Sequence, residues 1–276
     1  MIVRCLLLFQ LFVSQSYSQQ NKYHFIIQNK FNERLPYASL FWEKSTGFSA
    51  NAMGILSVTT ETPIDSIFVS SIGYKTLHTA IRQLQIRNDS IVVILSPQES
   101  VLPTLTIFSS SKDRDIGIDE RQTSFFSNNY RSMKGVVKVN QPGKVCQIES
   151  VSIFINKKSA ENIPFRLRIY TVAENGYPGE DLLRENIIID SYTIGDWNTV
   201  FLNDSSIIIE QPIFFIGIEW LNLPQKMSNG ALQIGLTNKI KEAHSYFQFA
   251  NRGWRLNNTT NETAPDNLMI KAKIKY

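Results

Sequence analysis

A period of two limits this chain more than any other feature. Phe165-Arg166-Leu167-Arg168-Ile169-Tyr170 alternates strictly between apolar residues and polar or charged ones. Successive side chains of an extended strand point to opposite faces, so Phe165, Leu167 and Ile169 share one face and the two arginines the other. Alternating or short β-branched runs recur along the chain, roughly every 8–12 residues in its second half. Beyond the apolar N-terminal stretch, no pattern at helical spacing lasts three turns. A chain written this way packs sheet on sheet, and the expected class is all-β.

The 276 residues allow one large or two ordinary domains. Hydrophobic residues at 43% and charged residues at 19% are enough to build cores and exclude a disordered chain. In the first half the strand patterns fall at 23–29, 37–42, 64–70, 76–81, 90–95 and 105–108. Ser90-Ile91-Val92-Val93-Ile94-Leu95 is continuous and β-branched, as in a strand buried on both faces. Residues 109–131 then turn polar and charged without an apolar period, which reads as a linker. Further patterns follow at 135–140, 148–155, 165–170, 187–189, 197–202, 206–209, 213–220, 231–236, 245–249 and 268–274. Phe214-Phe215-Ile216-Gly217-Ile218-Glu219-Trp220 is too apolar for a solvent-facing sheet and belongs mid-core. About ten short strands suggest a jelly-roll-like double sheet over 132–276.

The N-terminus has the layout of an export signal. Arg4 supplies positive charge, residues 5–13 are apolar, and Ser16-Tyr17-Ser18 is a small-x-small cleavage site, giving a signal peptide over 1–18. The apolar run is short for a bilayer span, so no transmembrane segment is expected after cleavage. Cys5 precedes the run and is not placed like a lipoprotein cysteine. Removal of the segment leaves Cys146 alone, in an apolar context that reads as a buried thiol. The expected address is exported: periplasmic, outer-membrane associated or extracellular.

One stretch looks like a family signature: Leu35-Pro36-Tyr37-Ala38, the turn Asn51-Ala52-Met53-Gly54, and Ser70-Ser71-Ile72-Gly73-Tyr74. It resembles the carboxypeptidase-regulatory-like domain of Bacteroidetes, over residues 22–108. That resemblance implies a seven-stranded prealbumin-like sandwich, an accessory rather than a catalytic unit. The opening Phe25-Ile26-Ile27-Gln28-Asn29 departs from the Gly-x-Val/Ile strand and acidic turn usual there. The later order, from Phe165–Tyr170 through Gly176-Tyr177-Pro178-Gly179 to Glu219-Trp220, resembles β-sandwiches that follow this domain in Bacteroidetes proteins, and carbohydrate-module-like jelly rolls. It implies no activity.

The chemistry is sparse. A net charge of +4 without a run of five basic residues argues against nucleic acid. The three histidines, His24, His78 and His244, lie far apart with no His-Glu-x-x-His, so no metal site is expected. There is no Gly-x-Ser-x-Gly, and no catalytic residue is assigned. Glu180-Asp181 and Asp119-Glu120 read as solvated turns. No cofactor is expected, although calcium held by loop oxygens of the second sandwich stays open. The remaining option is an aromatic platform, since sugar rings stack on Trp or Tyr while amides and charges hold their hydroxyls. Trp254, in the loop-like Asn251-Arg252-Gly253-Trp254, is the first candidate, with Arg252 and Asn251 beside it and Tyr177 second. Trp254 reads equally as a core anchor; Trp197 and Trp220 read as core.

The expectation is a non-catalytic binding or scaffold protein of the envelope, its partner a glycan or an envelope protein. Alternatives are a structural accessory subunit of an outer-membrane complex and a hydrolase with a site dispersed over the second sandwich. Perturbed carboxylates in a cleft would favour the hydrolase, an exposed Trp254 the glycan module, and a broad apolar patch the accessory subunit.

Overall fold

A computed structural model describes residues 20–42, 46–98, 112–128, 132–143, 145–202, 207–224, 230–250, 252–257 and 264–276. The signal-peptide stretch and the pattern at 105–108 lie outside them. The described chain is all-β, with one short 3₁₀ turn.

The first half holds β1 (Asn21–Asn29), β2 (Ser39–Trp42), β3 (Thr46–Ser49), β4 (Ile55–Thr60), β5 (Ser66–Ser70), β6 (Leu77–Ala80), β7 (Gln85–Arg87) and β8 (Ser90–Leu95). They form two sheets, ordered β4-β1-β8-β7 and β3-β2-β5-β6. Alternation sends Phe25, Ile27, Leu40, Leu56, Ile67, Val69 and Val93 into the core between them. In β8, Ile94 is exposed at 40%, so that strand is not covered on both faces along its whole length.

The second half holds β9 (Asp113–Gly117), β10 (Ser124–Ser127), β11 (Met133–Asn140), β12 (Cys146–Phe154), β13 (Phe165–Val172), β14 (Pro178–Asp181), β15 (Ile188–Ile189), β16 (Trp197–Phe201), β17 (Ile207–Ile209), β18 (Ile213–Trp220), β19 (Gln233–Thr237), β20 (Ser245–Phe249), β21 (Arg255–Leu256), β22 (Asn267–Leu268) and β23 (Ile270–Lys275). A seven-stranded sheet runs β14-β13-β18-β11-β20-β21, with β15 also on β13. A five-stranded sheet runs β16-β12-β23-β9, with β17 also on β12, and β10-β19-β22 make a third. Phe165, Leu167, Ile169, Phe214, Ile216, Ile218, Val151, Ile153, Ile270 and Ile274 fill one core between these sheets. Cys146 is fully buried there, and burial pushes its thiol up to about 11, so it stays an unreactive core group.

The segment expected as a linker is corrected. It carries β9, paired antiparallel with β23, and β10, paired with β19. β9 is an exposed edge strand, so it needs no apolar period. It is held by charge as well as by its ladder: Lys273 Nζ lies 3.1 Å from Asp113, and just beyond β9 Asp119 lies 2.6 Å from Lys271. The lysines of the closing strand are thereby paired.

Candidate functional site

The inner face of the seven-stranded sheet is core; its outer face is the candidate site. Register places Arg166, Glu219, Lys134 and Gln248 in one row across β13, β18, β11 and β20. The next row reads Arg168, Gly217, Val136, Tyr246 and Leu256, and beyond it Tyr170 pairs with Phe215 and Asp181. One end of this face is therefore charged and the other aromatic. Gly217 stands between them where the strands approach closely: a Cβ there would meet the Gly135 carbonyl oxygen at 2.1 Å.

Alternation correctly puts the arginines opposite the core face, but they are not in solvent. Arg166 and Glu219 are fully buried and Arg168 nearly so. Arg166 donates to Glu219 Oε2 at 3.0 Å. Arg168 donates to the same oxygen through Nε at 2.9 Å and again through its terminal nitrogen, and reaches Asp181 at 2.5 Å. Lys134 Nζ donates to Gln248 Oε1 at 3.1 Å. Burial alone would raise the Glu219 carboxyl, but Arg168, Arg166 and Lys134 outweigh it and hold the group well below the usual carboxylate range. Burial pushes the Lys134 ammonium down to about 8 against the opposing pull of Glu219.

The first sandwich supplies the roof, and the signature stretch supplies the contacts. The Ser39 hydroxyl donates to Glu219 Oε1 at 3.0 Å. The Tyr37 carbonyl accepts from Arg166, and the Pro36 carbonyl accepts from Asn186 at 3.2 Å. Asn222 donates to the Gly47 carbonyl at 2.7 Å, while its own carbonyl accepts from the Ser49 amide at 2.8 Å. Tyr37 has φ of +56°, unfavourable for a bulky residue and sustained only where the surroundings over-determine it. Its carbonyl is the one aimed at Arg166.

Where this roof meets β13 and β14 there is a cleft of about 280 Å³. Ser71, Tyr74, Lys134, Arg168, Tyr170 and Asp181 are among its walls. Ser71 and Tyr170 are more than nine-tenths buried, yet neither hydroxyl has a hydrogen-bond partner among the described residues. Such an orphan costs about 1–3 kcal/mol. Burial raises the Tyr170 hydroxyl well above its ordinary range, so it remains a donor at neutral pH.

The aromatic end gathers two of the expected residues. Trp254 is half-buried and meets the Tyr170 ring edge-on at 5.5 Å. Tyr177, 37% exposed, meets Tyr246 edge-on at 5.8 Å, and Tyr246 meets Phe215 at 5.2 Å. Two residues far apart in sequence thus flank one cluster. Arg252 is exposed near Trp254, and Asn251 lies outside the described residues. The segment read as a loop around Trp254 carries β21, paired with β20. Trp220 is core as expected; Trp197 is only half-buried, with Lys271 Nζ 4.5 Å from its ring centre. His24 bonds Ser57, His78 stacks on Phe68 and His244 lies 3.7 Å from Glu242. Among the described residues no group of three or more His, Cys, Asp or Glu is placed to hold a metal ion.

Sequence reasoning missed the charged cluster. The usable signal was a single glutamate in the apolar run 213–220 beside two arginines on one strand face, since buried charges need partners.

No family model matches the chain, and no curated protein does. Among solved structures it is similar to the cysteine protease and lectin-like domains of Cwp84, a surface layer associated protein of Clostridium difficile. Identity is 17%, TM-score 0.45, over 84% of this chain and 46% of that one. A second Cwp84 structure, after propeptide cleavage, gives 13% identity and TM-score 0.46, over 86% of this chain and 64% of that one. A structure of infectious bursal disease virus gives 13% and 0.28, over 85% and 49%. The chain spans less than two thirds of each. Likeness of this degree says nothing about what the chain binds.

Proposed function

We propose that this chain is an exported, non-catalytic binding protein of the cell envelope, and that its second sandwich recognises a glycan on the aromatic end of the large sheet. One observation carries the reading: Trp254 and Tyr177 converge on the cluster of Tyr170, Phe215 and Tyr246, with Tyr177 in solvent. Aromatic rings with polar tips suit the apolar face and hydroxyl rim of a sugar. The signal-like N-terminus supports export, and the resemblance of the signature stretch to an accessory domain supports a non-catalytic role. So does Glu219, which is held far from the near-neutral range a general acid or base needs. The test is a glycan panel probed with the chain from Gln19, alongside Trp254→Ala and Tyr177→Ala. Binding by the parent that is lost in folded Trp254→Ala is the expected result. An empty panel for the parent overturns the reading.

A second reading, a rigid accessory subunit of an outer-membrane complex, is favoured by the buried ion cluster under the roof. A buried, hydrogen-bonded charge pair fixes one arrangement of its neighbours better than an apolar contact does. Recovery of a defined envelope assembly with the chain, unchanged by Trp254→Ala, would favour it.

A further inference from the structure

The cleft beneath the roof has an unbalanced charge and two idle donors. The cluster contains three cations, Arg166, Arg168 and half-buried Lys134, and two anions, Glu219 and half-buried Asp181. One positive charge is left over. At the rim, exposed Arg184 and Glu180 offset each other. Arg168 is committed to Glu219 and Asp181, but among the described side chains Lys134 gives a hydrogen bond to Gln248 alone, and an ammonium has three protons. The Ser71 and Tyr170 hydroxyls on the wall are unpartnered. Buried polar groups are ordinarily satisfied, and these two residues, from different sandwiches, line the same cleft.

We propose that this cleft binds a monocarboxylate, the Ser71 and Tyr170 hydroxyls donating to it and the Lys134 ammonium balancing its charge. A monoanion fits the single excess charge, whereas a phosphate dianion would leave the buried cluster negative. A volume of about 280 Å³ admits a group the size of one sugar acid. The cleft shares Tyr170 with the aromatic cluster, but neither Trp254 nor Tyr177 lines it, so glycan binding on the rings and carboxylate binding in the cleft can fail one without the other.

The test is calorimetric titration of the full chain with D-glucuronate, acetate, inorganic phosphate and neutral glucose. Glucuronate is expected to bind and glucose not. Acetate binding would show that the carboxylate suffices, and acetate silence that the sugar ring contributes; both support the site. Tyr170→Phe and Ser71→Ala are each expected to weaken glucuronate about tenfold, the value of one hydrogen bond to a charged group. Neither should lower the melting temperature, because each removes an orphan. No heat with either carboxylate, tighter binding of phosphate, or binding indifferent to both hydroxyl variants would overturn the proposal.

Discussion

The inner face of the seven-stranded sheet is buried by apolar contact, and the charged end of its outer face by paired charge. On the inner face Phe165, Leu167 and Ile169 meet the five-stranded sheet, and any well-shaped apolar partner would serve. On the outer face Arg166, Arg168 and Glu219 are equally dry, but each is held by specific atoms, two of them belonging to the first sandwich. A lost inner contact leaves a cavity. A lost outer contact leaves a charge out of water, and that difference ranks the substitutions that can break the comparison.

Glu219→Ala should cost most, about 3–5 kcal/mol, because it strands two guanidinium groups. Urea unfolding checks it; a loss under 1 kcal/mol would mean that water already reaches the cluster. The same site gives a pH signature. The Glu219 carboxyl is held below its ordinary 4.5 in the folded chain, so the stability it adds is complete above that pH and drains away as pH falls below it. The gap between the parent and Glu219→Gln should therefore narrow from pH 6 to pH 3. Lys134 adds a second rise of stability with pH, in alkali. Its folded value of about 8 lies below the ordinary 10.5, so the folded chain sheds the proton first and gains stability from this group between those two values. Lys134→Met should lack that gain in urea midpoints read across the same window.

On the inner face, Ile169→Ala should cost about 3 kcal/mol by deleting packed methylenes, without pH dependence between 3 and 6. A pH-dependent loss there would erase the distinction between the faces. Smaller still is Asn222→Ala, about 1–2 kcal/mol, which leaves the Gly47 carbonyl unpaired at the roof. Trp254→Ala should cost least, about 1 kcal/mol for one edge-on ring pair, and the proposed binding assay depends on that small loss.

The inner face was legible in the sequence because its rule is local: Phe165, Leu167 and Ile169 announce it within six residues. The outer face was legible only in part. Alternation put Arg166 and Arg168 on it but could not show that Ser39 and the Tyr37 carbonyl, more than a hundred residues earlier, would cover it. The signature stretch was visible as a motif, yet its contacts are mostly made by backbone carbonyls, which carry no residue code. The strand Asp113–Gly117 hid for a related reason: an edge held by Lys273 and Asp113 has no apolar period to read. Trp254 and Tyr177 were found by residue type, and their meeting around Tyr170 and Tyr246 depends on the pairing of β20 with β21, which a two-residue strand does not advertise.

Through Ser39 and the Tyr37 carbonyl, the buried ion cluster is expected to join the two sandwiches into one cooperative body. Differential scanning calorimetry of the parent and Glu219→Gln at neutral pH tests it most directly. A single transition is expected for the parent, separating into two in the variant as the sandwiches melt independently. Two transitions in the parent, or a single transition unchanged by the substitution, would contradict it.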